Sequence, residues 1–178
     1  MTTLVAKLLA LHDALAQAGV AHAFGGAIAL AYCTEDPRGT RDVDINVFVP
    51  ATAAQPVLAA LPPGVLVHAD TAGRIADDGQ VRLWWDDTPV DLFFDYAPLH
   101  AQAARGVRQV LFADRKIPVL GAVELVLFKA LFDRPKDWVD IAAVVDNDAV
   151  DLERVRQGLI ALVGQNDPRV ERWEGLRP

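Results

Sequence analysis

The sequence predicts an α/β (α+β) chain, a mixed sheet flanked by helices and followed by a helical C-terminal segment. Two patterns carry this. Between residues 20 and 119, short runs alternate apolar and polar residues, the period of strands with one buried face. Around them apolar residues recur at three- and four-residue steps, and from Gly121 onward the pattern is helical. The chain reads as one unit over 1–178, with a mixed α/β core at 1–119, a helical layer at 120–164 and a polar, loose tail at 165–178.

The elements follow in order. Leu4, Leu8, Leu11 and Leu15 make the buried stripe of a helix over 3–18, capped by Thr2 or Thr3 and closed by Gly19. Val20–Phe24 is a short strand that ends at Gly25-Gly26, and residues 26–33 are helical. Residues 34–41 form a polar loop punctuated by Pro37 and Gly39. Residues 42–49 alternate as a strand, 52–61 form an Ala-rich helix closed by Pro62-Pro63-Gly64, and 65–69 a further strand. Gly73, Asp77, Asp78 and Gly79 mark 70–80 as a turn or loop. Residues 81–85 and 89–96 are two strands joined at Asp86-Asp87-Thr88 as a hairpin, and 108–112 and 117–119 are short strands. One helix carries Val123, Val126, Leu127, Ala130 and Leu131. A second starts at Pro135 with Trp138, Ile141, Val144 and Val145 inward. A third runs from about Asp151 to Val163 and stops at Gly164.

Composition narrows the function. At 178 residues with 52% hydrophobic and 23% charged residues the chain is globular, and it is long enough to bury a core without disulfides. The lone Cys33 has no internal partner, which suits a reducing compartment. No apolar run approaches the roughly 18 residues of a membrane span. The N-terminal stretch reads as a helix of the mature protein, so a cytoplasmic location is expected. The net charge is −7 and the pI near 5.0. All of the acid excess lies in residues 1–100, which hold 12 acids against 5 bases, while 101–178 hold 12 of each. A general nucleic-acid binder shows a basic face, and none is evident here. Arg105, Arg108, Arg115 and Lys116 read as a solvated loop.

The residues that carry chemistry are Gly25-Gly26, Arg38-Gly-Thr40, Asp42-Val-Asp44 and Asp91. Strand residues two apart face the same side, so Asp42 and Asp44 point together while Val43, Ile45 and Val47 point into the core. Paired carboxylates repel and raise each other's pKa unless a cation lies between them. Asp91 alternates in the same way within another apolar strand. If the two strands are neighbours, three hard oxygen donors converge, a set that suits one or two Mg²⁺ ions. Glycines at a strand-to-helix turn let phosphate oxygens approach backbone N–H groups.

The string F-G-G-A-I-A-L…P-R-G-T-R-D-V-D-I-N-V resembles the nucleotidyltransferase superfamily with the polymerase-β-like fold, in a form most similar to AbiEii-type and related minimal members. A second match runs through Pro118-Val-Leu, Glu124-Leu, Phe128-Lys129-Ala, Arg134-Pro-Lys136-Asp137 and Asp140-Ile. The resemblance covers roughly residues 20–50, 88–96 and 117–145. It implies that Asp42, Asp44 and Asp91 bind Mg²⁺ and are catalytic, with Asp91 helping to deprotonate the acceptor. It implies nucleotide-binding roles for Gly25, Gly26, Arg38, Thr40 and Lys129, and supporting roles for Asp137 and Asp140. The implied reaction is transfer of a nucleoside monophosphate from an NTP such as ATP to a hydroxyl of a small molecule, a tRNA end or a protein, with release of pyrophosphate. A tRNA acceptor is not indicated by charge. The alternative is a non-catalytic nucleotide-sensing or antitoxin-like protein-partner module of the same fold. Fifteen residues separate Gly26 from Asp42, more than in the shortest members. The chain is also shorter than full AbiEii-type toxins, which leaves the acceptor open.

Other motif readings lack support. Asp42-x-Asp44-x-Asn46 resembles the start of an EF-hand loop, but Val47 stands where the glycine belongs and Ala53 where the glutamate belongs. Neither a dinucleotide-binding nor a P-loop glycine motif occurs. Taken singly, Lys129 reads as a boundary lysine with its amine at the surface, and Asp137 and Asp140 as solvated first-turn acids. One of Trp84 and Trp85 belongs to the core, and the four histidines show no metal-ligand spacing.

Overall fold

A computed structural model describes residues 2–36, 39–95 and 97–176. Among them are seven strands, β1 (His22–Phe24), β2 (Val43–Pro50), β3 (Val65–Leu66), β4 (Gln80–Trp85), β5 (Thr88–Asp95), β6 (Arg108–Phe112) and β7 (Arg115–Val119). The helices are α1 (Leu4–Gln17), α2 (Gly26–Thr34), α3 (Ala54–Ala60), α4 (Thr71–Asp78), α5 (Pro98–Arg105), α6 (Ala122–Phe132), α7 (Pro135–Asp146), α8 (Leu152–Val163) and α9 (Pro168–Glu174). The strands form one mixed sheet in the order β3-β4-β5-β2-β1-β7-β6. β2 is its centre, antiparallel to β1 and parallel to β5.

Alternation along the strands sorts core from cleft. Val43, Ile45 and Val47 of β2 and Val90, Leu92 and Phe94 of β5 are fully buried, and Val81 and Leu83 of β4 continue that layer. α1 supplies Leu8, Leu11 and Leu15 to the same core and packs on α3, which in turn meets α4. α6 is the hub of the helical side, packed against α2, α5, α7 and α8. No helix among the described residues is long and apolar enough to cross a membrane.

Three expectations change. Residues 71–78 form helix α4 rather than a turn. Ile75 is fully buried and anchors it, while Gly73 faces open space and packs on nothing. Gly79 adopts φ +70 and its N–H bonds Ile75 O, so the glycine is the stop signal of a helix. Residues 97–107, to which no pattern was assigned, hold helix α5. Pro98 sits at its first position, and Leu99, His100 and Ala103 are its buried face. The tail is not loose over 168–174. Trp173 of α9 is fully buried and Val170 nearly so, and Arg156 of α8 bonds Glu174 at 2.9 Å. Two apolar residues three apart anchor that two-turn helix despite its polar composition. The basic residues 108, 115 and 116 lie on the exposed β6–β7 hairpin rather than in a loop, and Arg115 pairs with Asp13.

Candidate active site

The β1–α2 turn and the start of β2 are built around each other. Gly25 donates its N–H to Asp44 O at 2.9 Å, and Gly26 follows with φ +51. A Cβ on Gly26 would lie 1.8 Å from Asp44 Oδ2. Gly26 is therefore required twice, by its backbone region and by the Asp44 carboxylate pressed against it. Asn46, buried on the same strand, closes over Gly25, where an added Cβ would meet its amide at 2.9 Å.

Asp42 sits just before β2. Its carboxylate accepts a 2.5 Å hydrogen bond from Thr40 Oγ1. Thr40 thus orients Asp42. Arg38 lies outside the described residues.

The parallel pairing of β2 and β5 places Asp44 opposite Asp91, so the condition for convergence of the three carboxylates is met. All three line one cleft of about 780 Å³, together with Gly26, Thr40, Lys129 and Asp137. Asp44 shows the cost of this crowding. Burial, then the neighbouring charges of Asp42 and Asp91, push its pKa up to about 6, with Lys129 and Arg134 partly opposing the rise.

Sequence reasoning passed over Arg82. It stands opposite Asp91 across the β4–β5 ladder. Its Nε and Nη2 donate to the two Asp91 oxygens at 2.7 and 2.6 Å, a bidentate fork. Bonding to Asp91 pushes the Arg82 pKa further up. The signal was present, because a hairpin with a two-residue turn pairs Trp85 with Thr88 and, three rungs on, Arg82 with Asp91.

The opposite wall of the cleft comes from α6 and α7. Lys129 is buried and donates to Asp140 at 2.7 Å, with Asp137 at 3.6 Å. Arg134 forks Asp137 at 2.6 and 3.1 Å, and its guanidinium stacks 4.9 Å above the Phe132 ring. Burial pushes the Asp137 carboxyl up, but Arg134 and Lys129 outweigh it and hold the group below its usual range. Asp137 and Asp140 are 0% and 2% exposed, so neither is a solvated first-turn acid, and Lys129 is no boundary lysine. Asp137 also caps α7 by accepting from the Arg134 N–H.

Whether these residues suit a divalent cation is decided by their chemistry. Asp42, Asp44 and Asp91 are hard oxygen donors on one wall, and Asp44 is raised first by burial and then by repulsion from the other two, a repulsion that a cation among them would relieve. The donor set fits such an ion. Its arrangement is not closed, because both Asp91 oxygens are committed to Arg82. Among the described residues, no group of three or more His, Cys, Asp or Glu side chains is arranged to hold a metal ion.

No family model matches the sequence, and no curated protein matches it significantly. Solved structures do match in fold. The solution structure of the antibiotic-resistance factor ANT(2'')-Ia is 14% identical, with a TM-score of 0.62 over 88% of this chain and 89% of that one. The crystal structure of ANT(2'')-Ia in complex with adenylyl-2''-tobramycin is 16% identical, with a TM-score of 0.64 over 93% of this chain and all of that one. The chain has the nucleotidyltransferase fold. Within that fold, Asp44 lies on β2, Asp91 on β5, Asp42 just before β2 and the glycines at the β1–α2 turn.

Proposed function

We propose that the protein is a nucleotidyltransferase that moves a nucleoside monophosphate from an NTP to a hydroxyl acceptor and releases pyrophosphate. The carrying observation is the register of β2 on β5, which aligns Asp44 with Asp91 on the wall of an open cleft that also takes in Asp42 and Gly26. A blocked cleft would instead favour a non-catalytic module. The fold shared with ANT(2'')-Ia, one structure of which holds an adenylylated tobramycin, supports the same reaction class.

Asp42, Asp44 and Asp91 would hold Mg²⁺, which when bound offsets the charge of the triphosphate. The chain's own residues do the rest. Gly26 gives the phosphates close access to the start of α2. Thr40 fixes Asp42. Lys129, bonded to Asp140 on the far wall, is close enough to favour charge on Asp44. Asp91 takes the acceptor proton as the hydroxyl oxygen bonds to the α-phosphorus and the bond to the bridging β-phosphate oxygen breaks. Holding both reactants in line supplies much of the acceleration. A cleft of about 780 Å³ suits a nucleotide and the reacting end of a small acceptor. The chain works as one unit in the cytoplasm.

Calorimetric titration with ATP, GTP, CTP and UTP, with and without Mg²⁺, tests this reading. Mg²⁺-dependent binding of an NTP, lost in the Asp42→Asn/Asp44→Asn double variant, is expected. Absence of binding by every nucleotide in both conditions would favour a fold-retaining protein-partner module without catalysis.

A further inference from the structure

We propose that Arg82 is the resident counter-cation of Asp91, and that a divalent metal ion closes the three-carboxylate site only by displacing it. This rests on the functional reading above and adds to it a residue that sets the affinity for the metal.

The geometry gives the ground. A bidentate fork uses both oxygens of the carboxylate it grips, and here the two bonds are 2.7 and 2.6 Å. The fork takes one lone pair on each oxygen and fixes where the carboxylate points, so an ion that needs Asp91 turned toward Asp42 and Asp44 competes with it. The two partners differ in freedom. The Arg82 side chain is 54% exposed, and the Asp91 side chain 14%. The guanidinium is the member that can leave, swinging into water while both strands keep their register. An ion pair with one partner in solvent is weak enough for a metal ion to outcompete. The fork is also well placed for its resting task. It neutralises Asp91, the cross-strand neighbour of Asp44, while Thr40 Oγ1 donates to Asp42.

The test uses Mn²⁺ as probe, with free ion counted by electron paramagnetic resonance, on the full chain and four variants. Arg82→Gln is expected to bind Mn²⁺ about threefold to fivefold more tightly than wild type, the upper range an exposed pair allows. Arg82→Lys, which keeps the charge and loses the fork, is expected to fall between them. Arg74→Gln removes a charge from the same cleft and is expected to change affinity by less than about twofold. Asp44→Asn is expected to lose binding. In wild type, the Arg82 Nε–H resonance is expected to move to the position of a free arginine as Mg²⁺ is added. Equal or weaker Mn²⁺ binding by Arg82→Gln overturns the proposal and leaves the metal site standing. An equal gain in Arg74→Gln also overturns it, because the effect would then be one of net charge alone. No Mn²⁺ binding by wild type or any variant overturns the functional reading itself. Binding by Arg82→Gln alone supports the proposal in its strongest form.

Discussion

At the α6–α7 side of the cleft, Lys129 and Arg134 meet Asp137 and Asp140, so two cations and two carboxylates balance. At the β2–β5 side, Asp42, Asp44 and Asp91 share one wall, and among the described residues the cation bonded there is Arg82, on Asp91. Both clusters are of similar size and line the same cleft, yet Asp137 is held below its usual pKa range and Asp44 is lifted to about 6. Burial raises both groups. The difference is the counter-charge. A structural cluster carries its own neutralisation, whereas a site for a cationic ligand leaves part of it to be supplied.

The comparison can be broken by substitution, beginning with the largest effect. Lys129→Ala strips the balanced side of its buried cation and leaves two carboxylates that are almost wholly covered. A loss of about 3–5 kcal/mol in chemical denaturation is expected. Gly26→Ala forces a side chain into the left-handed region and against Asp44 Oδ2. A loss of about 1–3 kcal/mol is expected, together with loss of NTP binding in calorimetry. The unbalanced side should respond in the opposite sense. Folded Asp44 keeps its proton to about pH 6, while the unfolded chain releases it near 3.8. Between those values the folded chain binds more protons, so this group's contribution to stability falls as pH rises through the window. Asp44→Asn is therefore expected to stabilise the metal-free protein at pH 7.5, by on the order of 1–2 kcal/mol, and to lose that advantage below about pH 4. Melting curves across pH 4–8 check it. The smallest effect is expected at the rim. Removing the exposed Asp13–Arg115 pair should shift stability by less than about 0.5 kcal/mol.

Much of the unbalanced side was legible in the sequence, because strand alternation is a local rule. Asp42-Val-Asp44 and Val90-Asp91-Leu92 each announce which face their carboxylates take, and Gly25-Gly26 announces a close approach. The balanced side was half legible. Lys129, Asp137 and Asp140 were singled out, but their burial depends on α6 packing against α7, which no local pattern encodes. Arg82 was hidden for another reason. Its meaning lies in a cross-strand partner nine residues away, legible only by counting rungs back from the hairpin turn. Two of the missed helices share one cause. In α4 and α9 only one or two residues per turn reach the core, Ile75 in the first, Val170 and Trp173 in the second, too few for a clear stripe. Glycines and aspartates there mark helix ends and solvent faces, where a loop reading takes them for turns.

The most direct test of a charge deficit at Asp42, Asp44 and Asp91 is a paired thermal melt of wild type and Asp44→Asn at pH 7.5, without ligand and then with Mg²⁺ and each of the four NTPs. Without ligand, Asp44→Asn is expected to melt above wild type. With Mg²⁺ and the donor nucleotide, wild type is expected to rise by about 2–3 kcal/mol of stability at a hundredfold excess over Kd, enough to pass the variant, which stays where it was. An equal rise in both proteins, or no rise in wild type with any nucleotide, would contradict the account.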